Sequence, residues 1–181
     1  MPGRPFKGAI GMAAAQDIGT EMGVRLPSYR HLPGVNARPR DGVLARIAET
    51  APEVTASTDA LSNPAWRHGV AFLKAGFYWE AHEVLEPVWL NAPPNSRERA
   101  LVQGTIQFAN AALKALLDRP NAARRLADIA IGHFAEAGGP GGRPVMAIAP
   151  GTAIATVEAF KTALAAGNDW SASVSAFPHI G

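Results

Sequence analysis

The chain has 181 residues, of which 48% are hydrophobic and 18% charged. That balance suits one globular domain with a real core and excludes a disordered segment. It holds no cysteine, which excludes disulfides and thiolate metal sites and fits a reducing cytoplasm. The formal net charge is +2, and no run reaches the roughly 18 apolar residues that a membrane span needs.

Residues 1–40 contain Pro2, Pro5, Pro27, Pro33 and Pro39 and many glycines, which reads as an irregular, extended arm. The arm is basic: residues 1–46 carry Arg4, Lys7, Arg25, Arg30, Arg38, Arg40 and Arg46 against Asp17, Glu21 and Asp41. Its arginines are scattered among prolines rather than clustered, which argues against a nucleic-acid surface. The weakly apolar run after Arg4 and Lys7 is too short for a signal peptide. Met22 is an alternative start to Met1. The residues before Leu26 lack an apolar stripe and are expected to touch the body little, while Tyr29, His31 and Leu32 are candidates for pinning the arm down.

Residues 41–181 read as an all-helical domain. Residues 42–50 predict a short helix, closed by Pro52, and 51–62 a linker rich in Thr, Ser and Ala. Asn63-Pro64 is a cap followed by proline at the first helical position. The helix it opens has Ala65, Gly69, Phe72 and Leu73 on its inner face and stops at Gly76. The next runs over about 77–90, with Pro87 predicting a kink or an early end. Asn95 with Glu98 resembles a capping box for a long helix reaching about residue 117. That helix has a wide apolar face and a polar stripe of Gln103, Gln107, Asn110 and Lys114. Pro120 opens another helix, with Leu126, Ile129, Ala130 and Phe134 inward. Residues 138–150 are rich in Gly and Pro and predict a mobile loop. A last helix is expected over 152–166, then a tail in which Trp170 and Phe177 tuck into the body. No period-2 strand is visible. The fold class is therefore all-α, a single bundle of five or six helices with an irregular N-terminal arm.

Chemistry concentrates in residues 78–89, Tyr-Trp-Glu-Ala-His-Glu-Val-Leu-Glu-Pro-Val-Trp. At about 100° per residue, Tyr78, His82, Glu86 and Trp89 share one arc of the helix, bordered by Trp79 and Glu83, with Glu80 pointing away into solvent. The i,i+4 spacing sets the His82 ring beside the Glu86 carboxylate, where the acid can fix the tautomer, raise the imidazole pKa or share a divalent metal. His82 and Glu86 are thus the candidate catalytic pair and the first two metal ligands. His68, level with Val84 if the flanking helices run antiparallel, is the candidate third, with Glu83 beside it. Tyr78, Trp79, Glu83 and Trp89 are candidate binding residues. Gln107 and Asn110 join them if their stripe faces the site helix; a solvated helix face is the plainer reading of that stripe.

His82-x-x-x-Glu86-x-x-Trp89 resembles the HxxxExxW signature of domain-of-unknown-function family 309, small helical proteins of bacteria and archaea. The run 76–83, the later Gln103-Gly104-Thr105-Ile106-Gln107 and the segment 26–34 are similar to that family too. The resemblance implies an all-helical fold and a metal role for His82 and Glu86, without an activity. Two functional readings stand: a metal-dependent, hydrolase-like enzyme, or a non-catalytic module for a small molecule or a protein whose His–Glu pair is structural.

Overall fold

The computed structural model describes residues 9–40 and 42–180. Arg4, Lys7 and the candidate start Met1 lie outside the described residues, as does Asp41. Among the described residues there are eight α-helices, one short 3-10 turn and no strand: α1 (Met12–Glu21), α2 (Val43–Ala48), α3 (Pro64–Lys74), α4 (Tyr78–Leu90), α5 (Arg97–Leu116), α6 (Pro120–Glu136), α7 (Pro150–Ala165) and α8 (Ser171–Ser175). The all-α expectation holds. The count exceeds six because α1 forms inside the arm and α8 inside the tail.

The arm is the largest departure from the sequence reading. Ala13, Ala14 and Ala15 favour helix, and α1 uses them. Ile10, Ala15, Met22, Val24 and Leu26 are all buried. The chain folds back tightly at Gly19, where an added Cβ would lie 2.9 Å from both Leu26 Cγ and Val24 O. Arg67 of α3 donates to Met22 O at 3.1 Å. The residues before Leu26 therefore pack on the body, although they show no regular stripe. Their apolar side chains are spread over a helix, a turn and an extended piece, and no single period reveals them.

α3 starts as its sequence dictates: Asn63 Oδ1 accepts the Trp66 N–H at 3.0 Å. Gly76 adopts φ +83 and reverses the chain into α4. The two helices press together at Gly69, where an added Cβ would collide with the Leu85 side chain. α4 does not end early at Pro87 but continues to Leu90, and Pro87 O accepts the Asn91 N–H at 3.0 Å. The cap of α5 is Ser96 rather than Asn95: its Oγ accepts the Arg99 N–H at 3.0 Å. Glu98 is drawn off to Ser57, whose hydroxyl donates to it at 2.7 Å.

α5 lies against α6 where Gly104 meets the Phe134 ring. The inward face of α6 is Ala123, Ala127, Ala130 and Phe134, while Ile129 is exposed. The loop expected to be mobile is tied down. Val145, Met146 and Ile148 are buried, and Trp66 Nε1 donates to Met146 O at 3.0 Å. Arg97 donates to Ala137 O and Arg143 O at 2.7 and 2.9 Å. Three apolar residues amid the glycines outweigh the flexibility of their neighbours. The tail behaves as expected: Trp170 and Phe177 are buried among Phe108, Phe134 and Phe160. Lys74 of α3 holds it, donating to the carbonyls of Ser175 and Phe177.

Candidate functional site

α4 and α5 run antiparallel, with His82 opposite Asn110 and Trp89 near Arg99. Between them lies a cleft of about 150 Å³ lined by His82, Glu86 and Trp89 from α4 and by Gln103, Ile106, Gln107 and Asn110 from α5. Both sets follow helical spacing, so each helix turns one stripe toward the other. The polar stripe of α5 thus meets the site helix, which is the second of the two readings its sequence allowed.

His82 is half-buried, and its Nδ1 lies 3.2 Å from Asn110 Oδ1. A carboxamide oxygen only accepts, so the imidazole donates from Nδ1 and keeps the lone pair on Nε2. Glu86 is exposed. Among the described residues it makes no hydrogen bond or ion pair with His82; the two share the cleft rather than a proton. Trp89 is held by Arg99, whose guanidinium carbon sits 4.3 Å from the ring centroid. Arg99 Nη1 also donates to Trp89 O and Ala92 O at 3.1 and 2.9 Å, closing the C-terminal end of α4. The Trp89 Nε1 is buried without a partner. The cleft therefore offers a ring nitrogen that accepts, a carboxylate, three carboxamides and an aromatic edge.

The other sequence candidates stand elsewhere. Tyr78 is buried against Trp170, ring centroids 6.1 Å apart, and burial pushes its phenol pKa up. Trp79 meets His31 edge-on at 4.5 Å and carries Arg38 over its ring at 5.1 Å. Glu83 is half-buried and does not line the cleft. His68 donates from Nδ1 to Pro64 O at 2.7 Å and lines a different cavity, so it is no third ligand to His82 and Glu86. Among the described residues no group of three His, Cys, Asp or Glu could hold a metal ion. His82 and Glu86 alone do not fit a centre that needs three protein ligands.

Glu80, expected in solvent, is fully buried. The arm covers it: its Oε1 accepts the His31 N–H at 2.6 Å, while Oε2 has no partner. Burial pushes its pKa up to about 7, against the opposing pull of the His31 N–H and of Arg30. Arg30 lies over Phe77 at 5.1 Å and donates to Ala75 O at 3.2 Å. No helical period of α4 points to this, because its cause lies 49 residues earlier. The signal available was the pair His31-Leu32, a buried ring and side chain in a stretch otherwise rich in proline.

Fold and site define an all-α protein with a polar cleft between two antiparallel helices. Residues 66–126, a stretch that contains every residue lining the cleft, match the model of the family described as Domain of unknown function (DUF309). No curated protein and no solved structure matches the chain. No helix among the described residues is long and apolar enough to cross a membrane.

Proposed function

We propose that the α4–α5 cleft binds a small polar molecule, with His82 and Glu86 as the groups that recognise it. The observation that carries this reading is the convergence of His82, Glu86, Gln103, Gln107 and Asn110 on one cleft. Glu86 there has no cationic partner within ion-pair distance among the described residues. Glu86 is exposed, so water meets its carboxylate in the free protein and a ligand can take that water's place. About 150 Å³ is below the usual range for whole drug-sized ligands. The occupant is therefore a compound of few heavy atoms, or the head of a longer one. A protonated amine suits Glu86, and a hydroxyl or N–H suits the lone pair on His82 Nε2. If the ligand is also a substrate, that same nitrogen is the base. The donor set favours this reading over a metal-dependent hydrolase.

The test is a ligand-observed NMR screen of small amines and amino alcohols against the full chain. Binders are expected whose signals are lost with Glu86→Gln and with His82→Ala, and kept with the remote Glu158→Gln. Binders indifferent to both cleft substitutions would overturn the reading. Dialysis against zinc, followed by elemental analysis, is expected to leave well under one equivalent. One full equivalent, lost in both variants, would restore the metal.

A further inference from the structure

The α4–α5 cleft is closed at both ends and unpaired between them. At one end the His82 Nδ1 lies 3.2 Å from Asn110 Oδ1. At the other, the Arg99 guanidinium covers the Trp89 ring at 4.3 Å. Between these ends Glu86, Gln103 and Gln107 line the cleft, and among the described residues their side chains make no hydrogen bond or ion pair. Buried Ile106 gives it an apolar wall. The free acceptors are the two carboxylate oxygens of Glu86, the carboxamide oxygens of Gln103 and Gln107, and the lone pair on His82 Nε2. Glu86 is the one ion among the described lining residues, so the complementary ligand is a cation.

The spacing of the acceptors tells which cation. His82 and Glu86 stand four residues apart on α4, as do Gln103 and Gln107 on α5, a rise of about 6 Å in each case. A single ammonium nitrogen bonds at once only to acceptors within about 5 Å of one another. A guanidinium spreads five N–H donors over a planar fork and reaches acceptors that lie farther apart. It is also the more weakly hydrated cation, and its flat face suits a narrow slot walled by Ile106.

We propose that the cleft takes an alkylguanidinium in preference to a primary ammonium. Two of its N–H groups meet the Glu86 carboxylate side by side, and the others meet His82 Nε2 and the glutamine oxygens. The inference rests on the reading of the cleft as a ligand site and names the class of its ligand.

Amide spectra of the full chain test it, titrated separately at matched ionic strength with ethylguanidinium, propylammonium and ethylurea. Ethylguanidinium should shift the Gln103, Gln107 and Asn110 amides. It should bind about tenfold tighter than propylammonium, the worth of one further charge-assisted bond. Ethylurea, the same planar shape without the charge, should bind weakest. Glu86→Gln should bring ethylguanidinium down to the level of ethylurea. His82→Ala should narrow its margin over propylammonium, because it removes an acceptor that the fork reaches. Glu86 is exposed and His82 half-buried, and an unchanged circular dichroism spectrum checks that the variants fold. Propylammonium binding as tightly as ethylguanidinium would overturn this inference and leave the cleft a site for amines. Ethylurea binding as tightly, or ethylguanidinium shifts that survive Glu86→Gln, would overturn it as well. No shift of the three cleft amides with either cation would overturn it together with the reading it rests on.

Discussion

α4 carries two polar clusters on two of its faces, and they differ in what covers them. On one face, His82 and Glu86 open onto a cleft, and His82 bonds across it to Asn110. On the other, Glu80 lies under the arm with one oxygen bonded and one without a partner. The open cluster can exchange water for a ligand at little cost to the fold. The sealed cluster cannot, and its carboxyl answers by holding its proton to about pH 7. One helix thus separates an open cleft from a seal, and substitutions should tell the two apart.

The largest effect is expected from removing the seal's anchor. Deleting residues 1–21 strips away buried Ile10 and Ala15 and half-buried Ile18. The loss should be about 4 kcal/mol by the usual burial values, which lowers Tm by roughly 10 °C in a chain of this size. A Tm unchanged within about 2 °C, in the range of a neutral surface change, would show that α1 does not belong to the core.

Glu80 should give the next largest effect, and its sign is unusual. Its folded pKa lies above its unfolded value, so the native state binds the extra proton. Stability from this group is therefore full below about pH 4.5 and is lost as pH rises through about 7. Glu80→Gln, measured against wild type by denaturant melts, should gain about 2–3 kcal/mol relative to it between those limits. A constant difference across that range would mean that Glu80 is ionised in the fold. At the border of the two faces, Arg99→Ala removes the guanidinium from Trp89 and from two carbonyls at the end of α4. A cost of about 2 kcal/mol is expected, with a red shift of tryptophan emission. A stability within experimental error of wild type would show the stack to be ornamental.

The sequence made some of this plain and hid the rest for physical reasons. Asn63-Pro64 and Gly76 marked α3 because caps and turns are local chemistry. The His82, Glu86 and Trp89 stripe was visible for the same reason: helical spacing alone puts these residues on one side. Helical spacing does not say what a stripe faces. Tyr78 begins the same arc yet lies under Trp170, and Gln107 and Asn110 looked as much like a solvated face as like a wall of the cleft. Glu80 was hidden because its cover comes from His31 in the arm. His68 was set beside the pair by counting residues from Gly76, but its ring belongs to the opposite wall of α3, facing the arm. Ser96 displaced Asn95 as the α5 cap by a single residue, a difference that depends on Asn95 turning to φ +59.

The smallest expected change decides most. If the open cluster is held for a ligand, His82→Ala should cost the empty protein less than about 1 kcal/mol, because Asn110 then bonds to water in the cleft. Equilibrium denaturation of His82→Ala beside wild type reads this directly. A loss of 3 kcal/mol or more would place His82 among the groups that hold the fold together, and would contradict the cleft as a site.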